Sequence, residues 1–106
     1  MFKILFVLHK RSDLGTDEFQ RYWKETHGPI AAKLPGLRKY VQNHVLPDPS
    51  QGEPPYDGIA ELQFDSREAF EAAMASPEGQ ATIADVQNFV EPNKLYAGAV
   101  EEVTVI

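Results

Sequence analysis

Six segments whose patterning reads strand, helix, strand, strand, helix, strand constrain this chain more than any other feature of it. "FKILFVLH" (2–9) has large apolar residues at both parities, the pattern of a strand covered on two sides. Phe2, Ile4, Phe6 and Leu8 share one face, and Leu5, Val7 and His9 share the other. Thr16 is the expected N-cap of a helix, with Asp17 and Glu18 favourable in its first turn. Phe19, Tyr22, Trp23, His27 and Ile30 recur at three- and four-residue steps, which places the imidazole on the aromatic side of that helix. In "THGPI" the sequence predicts a break: Gly28 in a left-handed C′ conformation and Pro29 starting the next turn, leaving His27 at a helix C-terminus. "LPG" (34–36) ends the helical region.

The strand "LRKYVQNHVL" (37–46) is expected to place Leu37, Val41 and Val45 on one face and Arg38, Tyr40, Gln42 and His44 on the other. The Pro- and Gly-rich 47–57 segment cannot be a strand interior and is a candidate lid. "GIAELQF" (58–64) alternates, with Ala60, Leu62 and Phe64 toward a core and Ile59, Glu61 and Gln63 opposite. Asp65 and Glu68 fit a capping box for a helix whose inward positions are Phe70, Ala73 and Met74. Ser76 and Pro77 restart it, with Ile83, Val86 and Val90 on one side, until Pro92 and Asn93 stop it. The run 94–106 reads as a long last strand rich in β-branched residues.

This order is the split β-α-β arrangement of a ferredoxin-like α+β sandwich: one domain, 1–106, with helices on one face of a four-stranded antiparallel sheet. The other face is expected to present Leu5, Val7, His9, Tyr40, Gln42, His44, Ile59, Glu61 and Gln63. That mixture is too apolar for water and too polar for a core. Two such faces packed together predict a homodimer with a lined cavity.

Composition excludes several functions. A net charge of −6 and a pI near 4.9 argue against nucleic acid, whose affinity for proteins comes from Lys and Arg displacing counterions. The absence of cysteine removes disulfides, thiolate nucleophiles, iron–sulfur ligation and cysteine zinc sites. No apolar run approaches the ~18 residues of a membrane span, and the N-terminal stretch lacks the marks of a signal peptide, so the expected location is cytoplasmic with no membrane partner. No metal-ligand spacing links His9, His27 and His44. Neither a glycine-rich phosphate loop nor a nucleophile elbow is present. Charge is unevenly placed: residues 1–46 carry eight Lys and Arg against four Asp and Glu, and residues 47–106 carry two against twelve, which suggests that the halves lie against each other.

Some residues admit both a functional and a structural reading. His27 is a proton-transfer group aimed at a cavity, or a helix-terminal imidazole satisfied by a local carbonyl. Tyr40 orients a substrate carbonyl, or is a packed aromatic whose hydroxyl finds a partner. A carboxylate in an apolar strand is costly unless paired or wet, so Glu61 is an acid–base group or the partner of Arg38. Val7, His9, Gln42, His44 and Gln63 are the expected substrate-binding positions. For His9 and His44, solvent exposure near strand ends is the alternative.

"FQRYWKETHGP", "LPGLRKYVQNHV" and "YDGIAELQFDSREAFEAAMASPEGQ" together resemble the EthD family, named for an accessory protein of ethyl tert-butyl ether degradation, along nearly the whole chain. The resemblance implies a dimeric α+β barrel, in a superfamily that includes cofactor-free cyclases, a muconolactone isomerase and haem-degrading monooxygenases. It implies functional roles for His27, Tyr40, Asn43 and Glu61. Gln63 departs from a tryptophan found in many relatives, which points to a less aromatic pocket wall. Oxidoreductase is a label the family carries by association with a cytochrome P450 system. The resulting expectation is a cofactor-independent acid–base enzyme of isomerase, cyclase or lyase type acting on a small hydrophobic carbonyl metabolite. His27 would be the base, Tyr40 the oxyanion donor, and Glu61 the group orienting the imidazole. The alternative is a non-catalytic accessory protein that holds an oxidised small molecule, or haem, for a partner oxygenase.

Overall fold

β1 (Phe2–Leu8) runs antiparallel to both of its neighbours, β3 (Gly58–Phe64) and β4 (Tyr96–Val100), while β2 (Lys39–His44) pairs with the far edge of β3. The sheet order is therefore β2-β3-β1-β4, all antiparallel, as the ferredoxin-like reading requires. The computed structural model describes every residue, Met1–Ile106. None of its helices is long and apolar enough to cross a membrane.

Register decides which side chains share a face. Ile4 is opposite Leu62 and Phe6 opposite Ala60, and these apolar positions look toward the helices, as their alternation predicts. Phe19, Trp23, Phe64, Phe89 and Val90 are fully buried between the layers. β2 is the exception to the expected pattern. Tyr40 lies opposite Leu62, Gln42 opposite Ala60 and His44 opposite Gly58, so these three share the helix-covered face and are not on the open one. Strand side chains repeat every two residues, so choosing the other parity moves a whole strand's set across the sheet. The open face instead carries Val41 and Asn43, with Leu5, Val7, Ile59, Glu61 and Gln63.

The first helical region also departs from expectation. α1 (Thr16–Tyr22) is preceded by Gly15 at the cap position, with no side-chain hydrogen bond, so Thr16 is the first helical residue and not the cap. Gly28 has φ −51°, an ordinary right-handed value, and the helix does not stop at His27. It passes through one π turn, Trp23–His27, in which the Gly28 N–H donates to the Trp23 carbonyl five residues back, and continues as α2 (Gly28–Ala31). Pro29 has no N–H to give and its ring would crowd an α-helical carbonyl four residues back; the wider π turn takes that carbonyl out of α register. The glycine at the second break, Gly36, does take a left-handed φ of 77° and turns the chain into β2.

α3 (Arg67–Ala75) is capped by Ser66, whose hydroxyl accepts from the Ala69 N–H at 3.1 Å, one residue later than the expected Asp65 cap. Ser76 and Pro77 open α4 (Pro77–Val86) as expected, with Ser76 accepting from the Gly79 N–H at 3.1 Å. β4 is shorter than predicted. Val100 pairs with Lys3, almost the end of β1, so Glu101–Ile106 have no strand to pair with and are exposed. The two charge-biased halves do meet: Lys3 reaches Glu61 and Glu102, each at 3.0 Å, and Arg38 reaches Asp65 at 2.9 Å.

Candidate active site

The π turn and α4 together build a buried polar cluster at the base of an apolar cavity. His27 is 6% exposed, and its Nδ1 lies 2.8 Å from Oδ2 of Asp85, itself 8% exposed. The other carboxylate oxygen accepts from the Tyr22 hydroxyl at 2.6 Å and from the Asn88 amide at 3.0 Å. An ionised carboxylate can only accept, so Nδ1 carries the proton and, in the neutral ring, Nε2 keeps its lone pair. Nε2 has no hydrogen-bond partner within the chain, and the ring lines a cavity of about 430 Å³. The ring of Phe89 packs on the imidazole with centroids 4.7 Å apart.

Burial lowers the His27 pKa from its ordinary 6.5, and the Asp85 carboxylate offsets only part of that, so the ring is held neutral. For Asp85, burial alone would raise the pKa; the hydrogen bonds from Tyr22, Asn88 and His27 together outweigh it and leave the carboxyl below its usual value. The pair is thus an ionised carboxylate holding a neutral, correctly tautomerised imidazole.

The cavity lies between the sheet and the helices, walled by Phe6, Leu62, Met74 and Phe89, with half-exposed Ile83 and partly exposed Leu95 among its lining residues. Tyr40 lines it too. Burial raises the Tyr40 phenol, opposed only in part by the hydrogen bond the Gln42 amide donates to it and, less, by the nearby Trp23 indole, so the phenol keeps its proton. Of the three residues expected to act together, His27 and Tyr40 therefore meet around one cavity.

Glu61 does not join them. It is on the open sheet face, 3.0 Å from Lys3 Nζ, and accepts from the Asn43 amide at 3.1 Å; its expected partner Arg38 is occupied by Asp65. Those contacts, Asn43 first and Lys3 second, lower its pKa. The imidazole-orienting role belongs to Asp85, which sequence reasoning missed. Its signal was a carboxylate at helical spacing from Thr82 and Phe89 on an otherwise apolar face, where an unpaired charge is costly.

The expected substrate-binding positions divide. Val7 and Gln63 point to the open face with Glu61 and do not reach the cavity. His9 lies beneath the 47–57 segment, with the Lys94 carbonyl 2.7 Å from Nδ1 and the Pro55 carbonyl 2.8 Å from Nε2. Both are hydrogen bonds only when the ring carries both protons. Gln42 and His44 are on the helix side but behind the cavity wall, where His44 stacks on Trp23 with centroids 4.5 Å apart.

Residues 11–93 match the model of the EthD domain. The chain belongs to the EthD family. This EthD chain is 30% identical over 90 residues, 84% of each, to an 11.0 kDa protein of the thcB-thcC intergenic region of Rhodococcus erythropolis. It is 30% identical over 82 residues, 72% of this chain and 76% of the other, to 4-carboxymethyl-4-methylbutenolide mutase of Pseudomonas reinekei. The crystal structure of an EthD family protein from Bacillus halodurans matches with a TM-score of 0.79 at 27% identity, covering 97% of this chain and 100% of that one. A dimeric protein of ferredoxin-like fold from Bacteroides fragilis, 17% identical with a TM-score of 0.70 and 95% of each chain covered, shares the fold.

Proposed function

We propose that this EthD chain is a cytoplasmic, cofactor-independent acid–base enzyme of the isomerase type, acting on a small hydrophobic carbonyl metabolite. The observation that carries the reading is the His27–Asp85 pair, with a bare imidazole nitrogen facing an apolar cavity that Tyr40 also lines. The Nε2 lone pair takes a proton from a carbon next to the carbonyl, and Asp85 steadies the imidazolium that forms. The Tyr40 hydroxyl donates to the developing enolate oxygen. Returning the same proton to a different carbon completes an isomerisation with no net oxidation. The relatedness to a butenolide mutase supports this class of reaction.

Asp85→Asn tests the pairing. It keeps the shape but removes the charge that favours imidazolium, so proton exchange should slow by about 10²-fold or more. Folding carries a second readout. His27 has a folded pKa below its unfolded value of about 6.5, so its neutral form contributes fully above that pH, and stability falls as pH drops from there toward the folded pKa. Asp85 acts in the same direction at lower pH, because its folded pKa also lies below the unfolded one. Urea midpoints should be level at neutral pH and above and decline below about 6.5; in Asp85→Asn, which loses the carboxylate that helps hold a proton on His27, the part of the decline due to His27 should extend to lower pH while the part due to Asp85 itself disappears. A midpoint rising on acidification would contradict the assignment of His27 as a buried neutral base.

The open face supports a homodimer in the same reading. Leu5, Val7, Val41 and Ile59 share it with Lys3 and Glu61, and Tyr96 at its edge is 60% exposed. The dimeric Bacteroides fragilis neighbour supports the same assembly. Sedimentation should give a dimer for the wild type and a monomer for Ile59→Glu, which would place unpaired charge in the middle of the contact.

A further inference from the structure

Gln42 ties the π turn that carries His27 to the tyrosine facing it, and the polarity of its hydrogen bonds can be read without ambiguity. Its side-chain nitrogen is 2.9 Å from the Trp23 carbonyl and 2.8 Å from the Tyr40 hydroxyl oxygen, while its oxygen is 2.8 Å from His44 Nε2. A backbone carbonyl only accepts, so the NH₂ end of the amide must face Trp23, and the same NH₂ then faces Tyr40. The amide oxygen is left for His44, whose stacking on Trp23 fixes where its Nε2–H points. Tyr40 is thereby made an acceptor toward Gln42. The hydroxyl's own proton finds no acceptor within the chain, and the cavity Tyr40 lines is where one would come from. Gly28 makes room for this arrangement: a Cβ there would stand 3.3 Å from the Gln42 nitrogen and 3.3 Å from the Trp23 carbonyl.

We propose that Gln42, locked between Trp23 and His44, is a positioning residue that keeps Tyr40 as an obligatory hydrogen-bond donor into the cavity, so that the site selects a ligand presenting a carbonyl oxygen there. This rests on the cavity being the ligand site, as in the proposed function, but not on any chemistry being done in it. The Trp23 carbonyl that accepts from Gln42 is also the one that closes the π turn with the Gly28 N–H, so one amide sets the donor and braces the turn that presents the imidazole.

The test uses 1-tetralone and tetralin, which differ only in a C=O replacing a CH₂, with affinities measured by calorimetry on the full chain. The wild type is expected to favour tetralone by about tenfold, the value of one retained hydrogen bond. Tyr40→Phe should remove that preference and leave tetralin binding unchanged. Gln42→Glu should do the same, because a carboxylate accepts, turns the Tyr40 proton onto itself and leaves the cavity without its donor. A second measurement needs no variant: with ¹³Cζ-labelled tyrosine, the Tyr40 resonance should move on adding tetralone and stay with tetralin. Equal binding of the two probes by the wild type, failure of both to bind, a Tyr40 signal indifferent to the carbonyl, or a full ketone preference in folded Gln42→Glu would each overturn the proposal. A ketone preference without solvent exchange into tetralone would leave it standing and count against the catalytic reading alone.

Discussion

His27→Ala is expected to slow solvent deuterium exchange into the carbon next to the carbonyl of lactone or β-keto compounds by about 10²- to 10⁴-fold, the usual contribution of a positioned general base. The expectation follows from three properties that an ordinary buried histidine does not combine. Its tautomer is fixed, because Nδ1 faces a carboxylate that can only accept. Its free nitrogen is not consumed by the chain, and its ring lines the cavity. Burial keeps it unprotonated where a solvated imidazole would begin to charge. The variant should still fold, since Asp85 keeps the hydrogen bonds of Tyr22 and Asn88; losing one partner of a buried group costs about 1–3 kcal/mol. Added imidazole should recover part of the rate, which a purely structural defect would not allow. Equal exchange by both proteins across a varied panel of substrates would remove the catalytic role and leave the accessory reading, in which a small molecule is held and not transformed.

The largest effect on stability is expected at the indole beneath the site. Trp23 is fully buried, stacks on His44, contacts Phe19 with ring centroids 5.8 Å apart, and begins the π turn. Trp23→Ala should destabilise the fold by about 3–5 kcal/mol, a large part of the 5–15 typical of a whole domain. β3 is shaped around the same ring: a Cβ on Gly58 would overlap the six-membered edge of the indole, so Gly58→Ala should cost about 1–3 kcal/mol by overpacking. The double variant discriminates this account from a generic preference for glycine. With the indole gone the overlap is gone, so Gly58→Ala should cost little in the Trp23→Ala background, and urea titrations of the four proteins should show strong non-additivity. Additive losses would mean that Gly58 is required for its backbone and not for the space it leaves.

Much of this architecture was legible in the chain because it depends on local periodicity. The alternation of Ile4, Phe6 and Leu8, and of Ala60, Leu62 and Phe64, has one low-energy outcome, and the ladder between β1 and β3 follows it. The three- and four-residue spacing from Phe19 to His27 put the imidazole on the buried side correctly, even though the expected helix break was a π turn. The EthD resemblance named the family that the residue 11–93 match then established. β2 was less readable, since Val41 and Val45 suggested one inward face and Tyr40, Gln42 and His44 offered no comparable apolar set. What turned the strand was a partner 19 to 21 residues earlier in the chain: the Trp23 indole and carbonyl stack on His44 and accept from Gln42.

The sequence by itself determined the order of elements, the central strands, the apolar helix faces and the burial of His27, because each depends on a repeat of two or of about 3.6 residues that neighbouring positions report. Only the tertiary structure decided which carboxylate meets that imidazole and which way β2 faces. Asp85 lies 58 residues from His27, and Glu61 is separated from it by the thickness of the sheet. A pairing across such a separation is set by how helices pack on a sheet, and no local pattern encodes that geometry.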